Sequence, residues 1–420
     1  MHDPYAHITL SAGTILFEEG DAGDYAYLIT RGRIEIFLRR DGGEVRLALR
    51  SPGEIFGEMA ILDFDPRSAS ARALEDCELV PVSEAQIRQR LSESDPVLRL
   101  CLGVVMARYR ETVTLLREHG IAARHDLPQP AAPSPAARAD FDAAITAVVL
   151  ERELRRALDR QEFELFFQPI VRLGTGILAG FEALIRWRHP ERGLVLPGGF
   201  IAVAEESGLI IDITAWVVSE IGRVLPEIMR VGLGNAVAVE GPLFVSINVS
   251  GHDLARATFP SMVCEMLTTR GIPAGSLKLE ITESTLMRDP VTAADALTRC
   301  RASGMGIAID DFGTGYSSLS YLSTLPITTL KVDRAFVRAM LSEPRDHRIV
   351  QTILRLADEI GIPAVAEGIE EPAEALALAG MGCAYGQGYL FGRPAPLPET
   401  LALIRSWNCA DAADPCASAA

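Results

Sequence analysis

The stretch GIAIDDFGTGYSSL, residues 306–319, places two carboxylates side by side at the end of an apolar run. The run up to Ile309 is typical of a buried strand, and the glycines that follow are typical of a loop. In α/β proteins the ligand-binding groups come from the ends of strands, because these ends open onto a common face. We therefore expect Asp310 and Asp311 to belong to a binding site.

Eight apolar runs alternate with helical stretches in the C-terminal part of the chain, which predicts parallel βα units. In order they are LFFQPIV, AGFEALIRW, FVSINVS, LKLEITES, GIAIDDFG, TLKVDRAF, PAVAEGIE and YGQGYLF. Each carries an unexpected polar position, respectively Gln168, Glu182, Asn248, Glu280, Asp310 with Asp311, Lys331, Glu367 and Gln387. A TIM-like (β/α)8 barrel delivers functional groups from many strand ends to one mouth, so the pattern predicts that fold.

The first two runs depart from a regular barrel. They are joined by VRLGTGILAG, which is too short and too rich in glycine for a crossover helix. We therefore predict an antiparallel first strand. A turn centred on Thr175 would place Gln168 opposite Glu182, so that both side chains reach the same mouth.

The strand-end residues offer only oxygen ligands, which favours Mg²⁺ or Mn²⁺ over Zn²⁺. The six candidate metal ligands are Glu182, Asn248, Glu280, Asp310, Asp311 and Glu367. Crowded carboxylates repel one another unless cations neutralise them. Two ions about 3.5–4 Å apart would do so, and would activate a water and stabilise a phosphoryl leaving oxygen. Taken alone, DDFGTG also fits a simple polar turn.

Composition excludes several classes of protein. The formal net charge of −16 opposes binding to DNA or RNA polymers. No apolar run approaches the roughly 20 residues that a membrane crossing needs, and the start resembles no signal peptide, so we expect a cytoplasmic protein without a membrane partner. The seven cysteines include no CxxC pair, and we expect free thiols.

The N-terminal part has a different pattern, and we predict a first domain over residues 1–120. Short strands broken by glycine turns predict an all-β jelly roll, followed by a long helix that ends near Gly120. A stripe on this helix has the spacing of a coiled coil and predicts a homodimer, although an amphipathic helix packed on its own domain is the alternative. The stripe consists of Leu98, Leu102, Val105, Tyr109 and Leu116, with Thr112 completing it.

The segment RHDLPQPAAPSPAARAD, residues 124–140, predicts an extended linker, because prolines alternate there with alanines and polar residues. We assign residues 121–145 to this linker, 146–407 to the barrel domain and 408–420 to a disordered tail.

Residues 53–73, GEIFGEMAILDFDPRSASARA, place Arg67 after a glycine turn and a short helix-like piece. An arginine near backbone donors suits a single phosphate, and the Glu58 carboxylate suits a ribose hydroxyl. Taken alone, the two residues also fit a surface ion pair.

The motifs FEALIRW, INVS, LEITES, IDDFGTGYSSL, LKVDRAF, VAEGIE and YGQGYLFGRP resemble the EAL phosphodiesterases over roughly residues 150–405. The resemblance implies hydrolysis of cyclic di-GMP to linear pGpG with two Mg²⁺ or Mn²⁺ ions. It implies one metal on Glu182, Asn248, Glu280 and Asp310, and a second that Asp310 shares with Asp311 and Glu367. Lys331 would position the attacking water, with Glu182 and Glu367 also catalytic. The implied substrate ligands are Gln168, Arg186 and Gln387, and Glu283 would brace the loop DFGTGYSS.

FGEMA followed by PRSASARA resembles the phosphate-binding cassette of cyclic-nucleotide-binding domains, over about residues 8–119. The resemblance implies Arg67 on the cyclic phosphate, Glu58 on the ribose, Gly57 and Ser68 nearby, and Thr112 on the base. We therefore expect a phosphodiesterase that cAMP or cGMP regulates, most readily by activation. The alternatives are an inactive cyclic di-GMP receptor and a scaffold.

Overall fold

The computed structural model describes residues 8–40, 43–63, 66–83, 85–86, 135–235, 239–313 and 325–409. The chain divides into two compact units, Met1–Arg156 with Glu206–Gly208, and Ala157–Glu205 with Leu209–Ala420. The predicted helix that carries the coiled-coil stripe and Thr112 lies outside the described residues, as does the tail from residue 410.

The described part of the first unit is built mainly from β-strands. The strands are β1 (Ile8–Leu10), β2 (Ile15–Phe17), β3 (Tyr25–Arg31), β4 (Ile34–Arg40), β5 (Gly43–Arg50), β6 (Ile55–Phe56), β7 (Ser70–Ala73) and β8 (Cys77–Ser83). They form two antiparallel sheets, ordered β1-β8-β3-β6 and β2-β7-β4-β5. A short helix, α1 (Glu58–Asp63), follows β6. The predicted all-β domain with a jelly-roll arrangement is confirmed.

A buried cluster fills this β-domain. It contains Tyr27, Ile29, Ile34, Phe56, Ala71, Ala73, Cys77 and Leu79, with Phe17 packed against it. The rings of Tyr27 and Phe56 stack with their centroids 5.4 Å apart. Side chains alternate across each strand, and these inward-facing residues come from β3, β4, β6, β7 and β8, with β1 and β2 packed against them.

Helix α2 (Pro135–Asp159) corrects the predicted linker. The extended linker over residues 124–140 is wrong from Pro135 onward, because the prolines end there and the alanine, leucine, glutamate and arginine residues that follow are strong helix formers. Within the first unit, Arg152 donates from Nη2 to the Pro81 carbonyl oxygen at 2.7 Å. Val148 is buried against Leu28 and other residues of the β-domain. Residues 146–156, which we assigned to the barrel domain, therefore belong to the first unit.

The second unit contains the barrel. Its strands are β9 (Phe163–Arg172), β10 (Leu178–His189), β11 (Gly193–Val195), β12 (Val239–Asn248), β13 (Leu277–Thr282), β14 (Gly306–Phe312), β15 (Thr329–Val332), β16 (Ala364–Ala366), β17 (Tyr385–Gln387) and β18 (Ala395–Pro396). Neighbouring strands from β10 through β12 to β17 pair in parallel, and β9 closes the barrel antiparallel to both β10 and β17. All eight predicted strands and the (β/α)8 architecture are confirmed.

Helices separate the parallel strands. Those described are α3 (Ile201–Glu206), α4 (Ile210–Leu233), α5 (Gly251–Leu254), α6 (Phe259–Arg270), α7 (Glu283–Arg288), α8 (Pro290–Ala302), α9 (Arg334–Ala339), α10 (Pro344–Glu359), α11 (Pro372–Gly380) and α12 (Leu397–Ser406). Among the residues described, none of the helices combines the length and the apolar character that a bilayer crossing requires.

The antiparallel hairpin has the predicted register. Gln168 lies opposite Glu182 in the pairing of β9 with β10. The turn contains Gly174 and Gly176, whose φ angles of 78° and 68° fall in the left-handed region that glycine tolerates. The hairpin therefore delivers Gln168 and Glu182 to the same end of the barrel, as expected from the spacing around Thr175.

Candidate active site

The ammonium group of Lys331 lies at the centre of the barrel mouth, surrounded by four carboxylates. Its Nζ is 2.6 Å from Glu280 Oε2, 2.5 Å from Glu367 Oε1, 3.1 Å from Asp310 Oδ1 and 3.8 Å from Glu182 Oε2. The Lys331 side chain is 1% exposed, and a buried cation requires such partners. These contacts bring residues from five strands or strand ends into one site.

Amide side chains surround Glu182. Asn248 Nδ2 donates to Glu182 Oε1 at 3.0 Å. Gln387 Nε2 donates to Glu182 Oε2 at 2.5 Å and to Gln168 Oε1 at 3.0 Å. Gln387 Oε1 is buried and accepts no hydrogen bond within the described part of the chain. The two glutamines expected to bind substrate therefore lie beside an expected metal ligand.

Asp311 faces the same site as Asp310 because the backbone departs from strand geometry. Successive side chains of a regular strand point to opposite faces. Asp311 instead has φ of 53°, in the left-handed region, and its N–H donates to Asp310 Oδ1 at 3.0 Å. Carboxylate oxygens of Asp310, Asp311 and Glu367 lie within 4.8 Å of one another. This spacing suits ligands of a single cation.

The electrostatics of the site follow from burial and from like charges. Burial raises the pKa of Glu280 to about 8; Lys331 acts in the opposite direction, and Glu182 and Asp310 add to the rise. Burial also raises the pKa of Asp311 to about 6, together with repulsion from Asp310. The excess of carboxylates over cations in this site thus favours the protonated form of the Glu280 and Asp311 carboxyl groups.

Burial likewise raises the pKa of Glu367 well above its usual range. For Lys331, burial lowers the pKa, but the surrounding carboxylates outweigh it and leave the pKa well above the ordinary value. Lys331 is therefore a stable ammonium at neutral pH. Its single positive charge does not balance the carboxylates within 4 Å of it, and their oxygens are the donors that Mg²⁺ and Mn²⁺ prefer. The residues present fit divalent cations.

Two further expected residues lie close to this site. Arg186 is buried, and burial lowers the pKa of its guanidinium while the charge of Glu182 raises it. Glu283 Oε2 accepts a hydrogen bond from the Gly313 N–H at 3.2 Å, where the loop after β14 begins. Residues 314–324 of that loop lie outside the described residues.

Asp333 is a site residue that the sequence analysis missed. Its side chain is hydrogen bonded to Asp311, and its Oδ1 accepts from the Ala335 N–H at 2.8 Å at the start of α9. The available signal was its position directly after a strand, in the run LKVDRAF.

In the first unit, Arg67 is 4% exposed and is held by backbone carbonyls. Nη1 donates to Gly57 O at 2.8 Å and Nη2 donates to Tyr25 O at 2.6 Å. Burial lowers the pKa of the Arg67 guanidinium, while Glu58, at the start of α1, is among the groups that raise it. Ser68 is exposed beside Arg67. The structure thus brings Gly57, Glu58, Arg67 and Ser68 together as expected, and Thr112 is outside the described residues.

The chain belongs to the EAL domain family, which matches residues 151–394. Residues 7–94 match the cyclic nucleotide-binding domain. Both resemblances drawn from the motifs are confirmed. The barrel with its ring of carboxylates is therefore an EAL domain, and the double β-sheet is a cyclic nucleotide-binding domain.

Two curated relatives come from Pseudomonas aeruginosa. The bifunctional diguanylate cyclase/cyclic di-GMP phosphodiesterase MucR is 40% identical over 255 residues, which are 61% of this chain and 36% of MucR. The cyclic di-GMP phosphodiesterase NbdA is 40% identical over 266 residues, which are 63% of this chain and 33% of NbdA. The chain spans about a third of the length of the curated relatives it matches.

The EAL enzyme Bd1971 is similar over both units. Its cAMP-bound structure is 38% identical to this chain, with a TM-score of 0.61, and the match covers 95% of this chain and 100% of Bd1971. Bd1971 has also been solved with cAMP and cyclic di-GMP together, and with cGMP. One solved EAL enzyme is therefore similar to this chain over almost its whole length and has been solved with cyclic nucleotides bound.

Proposed function

We propose that the EAL domain hydrolyses cyclic di-GMP to linear pGpG with two divalent cations, Mg²⁺ or Mn²⁺, and that cAMP or cGMP bound to the first unit regulates it. The observation that carries this proposal is the set of four carboxylates around Lys331 Nζ. The names of MucR and NbdA support the substrate. The structures of Bd1971 support a nucleotide effector.

One cation would be held by Glu182, Asn248, Glu280 and Asp310, and the second by Asp310, Asp311 and Glu367. Bound there, the cations supply an activated water and stabilisation of the phosphoryl leaving oxygen. The close approach of Asp310, Asp311 and Glu367 oxygens supports the second group. The hydrogen bond between the Asp311 and Asp333 side chains supports the orientation of Asp311.

Lys331 acts as a hydrogen-bond donor. Because its pKa is raised, it keeps its proton and does not serve as a base. An ammonium donor beside the attacking water orients that water and stabilises negative charge that develops on phosphate oxygens. The neighbouring Glu367 carboxylate, 2.5 Å from Nζ, is placed to accept a proton.

Substrate recognition would use groups beside Glu182. Gln387 offers the buried acceptor Oε1, which suits an N–H donor of guanine. Arg186 has its Cζ 5.5 Å from the Phe166 ring and offers a buried guanidinium to a phosphate. Gln168 contacts Gln387 and would fix its orientation.

Glu182→Gln tests the proposal, with Glu220→Gln as a matched control. Glu220 lies on α4 and forms an ion pair with the exposed Arg223. Chromatography of cyclic di-GMP incubated with Mn²⁺ should show pGpG from wild type and Glu220→Gln, and none from Glu182→Gln. Binding of cyclic di-GMP without turnover by wild type, in Mg²⁺ and in Mn²⁺, would identify an inactive receptor instead.

A further inference from the structure

Phe17 packs its ring against the guanidinium of Arg67. The Arg67 Cζ lies 4.1 Å from the centroid of the Phe17 ring, and the Tyr27 ring is 5.7 Å away. Phe17 stacks in turn on Tyr27 and on Phe56, with centroid distances of 6.1 Å to each. The three rings form an aromatic cluster on which the cation of Arg67 rests.

The contacts of Arg67 leave its Nε atom without a hydrogen-bond partner among the described residues. The backbone of Arg67 is fixed, because its N–H donates to Asp21 O at 2.8 Å and its carbonyl accepts from Gly20 N at 2.9 Å. Nη1 and Nη2 are held by the carbonyls of Gly57 and Tyr25. Nε is buried, and no group in the described ranges pairs with it. An arginine that is 4% exposed with a free Nε–H suits an anionic oxygen.

A second arginine in the same domain provides the contrast. Arg72 Cζ lies 4.5 Å from the ring of Phe37. Its Nε and Nη2 donate to Glu35 Oε2 at 3.2 and 2.6 Å, and Nη2 lies 2.9 Å from Glu44 Oε2. Arg67, by comparison, has no ion pair with any carboxylate that the structure describes. The charge of Arg72 is thus balanced by the carboxylates of Glu35 and Glu44, whereas the guanidinium of Arg67 contacts aromatic rings and backbone carbonyls.

We propose that Phe17 is a positioning residue for cyclic-nucleotide binding: its ring holds the plane of the Arg67 guanidinium so that Nε–H is presented to the cyclic phosphate. The inference rests on the proposed nucleotide-binding role of the first unit. The carbonyls of Gly57 and Tyr25 hold the two Nη atoms, and the guanidinium also donates a hydrogen bond to the Tyr27 hydroxyl. Rotation of the guanidinium about the line joining the Nη atoms would still carry Nε away from the phosphate. Contact of the flat ring with the flat guanidinium opposes that rotation.

The test measures binding of cAMP and of its Sp and Rp phosphorothioates to the full chain by calorimetry. Phe17→Leu removes the ring face, Phe17→Tyr retains it, and Phe37→Leu is the matched control at the other ring–arginine contact. We expect Phe17→Leu to weaken cAMP binding by about 2- to 30-fold, the range of a cation–π contact. The preference between the two phosphorothioates should shrink as well, because a mobile guanidinium distinguishes the two phosphate oxygens poorly.

Phe17→Tyr should restore both the affinity and the preference, and Phe37→Leu should change neither. Melting temperatures of all variants report any loss of folding. Unchanged cAMP affinity in Phe17→Leu overturns the inference, and so does an equal loss in Phe37→Leu, which would indicate general packing. Failure of wild type to bind cAMP or cGMP overturns the proposed nucleotide-binding function itself, and the inference with it.

Discussion

The Glu280 carboxylate lies 2.6 Å from the Lys331 ammonium nitrogen, and both side chains are almost completely buried at the barrel mouth. Glu280 comes from β13 and Lys331 from β15, so the contact spans the intervening strand β14. Burying such a pair is costly unless further charges or hydrogen bonds are present. The pair therefore indicates a site built for chemistry at some expense of stability.

Lys331→Met should abolish most turnover while substrate binding survives. The variant keeps a long side chain in the barrel but loses the donor to the attacking water. Loss of such a group costs about 10²- to 10⁴-fold in rate. Steady-state kinetics and calorimetry with cyclic di-GMP provide the two readouts.

Lys278→Met is the control for that experiment, because Lys278 is the only other lysine of the chain. Its Nζ lies 3.7 Å from the centroid of the Phe244 ring, and we assign it no role in catalysis. Near wild-type turnover is expected. Lost affinity with surviving turnover in Lys331→Met would show that Lys331 anchors substrate instead.

Mn²⁺ affinity should rise with pH between about 6 and 9. Burial raises the pKa of Glu280 to about 8 and that of Asp311 to about 6. A carboxyl with a raised pKa keeps its proton to higher pH, and the proton must leave before a cation binds. Each proton displaced makes the affinity increase up to about tenfold per pH unit below the pKa.

Calorimetry of Mn²⁺ binding across this range measures the effect. Glu280→Gln cannot bind a proton at that position, so its Mn²⁺ affinity should depend on pH less steeply than that of wild type, while the part due to Asp311 and Glu367 remains. Affinity of wild type that is constant from pH 6 to 9 would count against protonated carboxyls in the metal-free site.

Gly57→Ala should weaken cAMP binding more than Gly13→Ala does. Both glycines have positive φ, 76° and 83° respectively. A Cβ at Gly57 would lie 2.7 Å from Arg67 Nη1, whereas a Cβ at Gly13 would meet nothing within 4 Å. Both alanine variants therefore carry similar backbone strain from the positive φ, and they differ in that only Gly57→Ala displaces Arg67. Calorimetry with cAMP compares the two, and equal affinities would mean that the position of Arg67 is unimportant.

Charged substitutions in the coiled-coil stripe test the predicted homodimer. Glutamates at Leu102 and Val105 would bury like charges between two chains, so the double variant should be a monomer by light scattering at micromolar concentration. Wild type should have twice the monomer mass. A monomer mass for wild type would leave the stripe as a face packed on its own domain.

Much of the barrel could be predicted because its signals are local. The spacing around Thr175 predicted the pairing of Gln168 with Glu182, although the register also depends on a one-residue shift between Leu178 and Gly180 that the sequence did not indicate. Eight strands with polar residues at their ends predicted the mouth. The four contacts of Lys331 could not be predicted, because they depend on how the closed barrel aligns strands distant in sequence.

Other features of the structure could not be predicted, because the local sequence carries no signal for them or a misleading one. The left-handed φ of Asp311 is imposed by its surroundings, since aspartate prefers other conformations. Phe17 and Arg67 are brought together by the pairing of β2 with β7 and by backbone hydrogen bonds of Arg67 with Gly20 and Asp21, which join segments about 50 residues apart in the sequence. The proline-rich segment before α2 suggested an extended chain, but its alanines support a helix once the prolines end at Pro135.

The most direct measurement is hydrolysis of cyclic di-GMP in Mg²⁺ or Mn²⁺, with and without saturating cAMP, by wild type and by Arg67→Ala. We expect both proteins to produce pGpG, because Arg67 lies in the first unit and not in the barrel. Removal of the metal by EDTA should abolish this product. Only wild type should be stimulated by cAMP. Identical rates with and without cAMP, in wild type shown to bind it, would contradict regulation. No pGpG under any of these conditions would contradict the central claim that this EAL domain is a cyclic di-GMP phosphodiesterase.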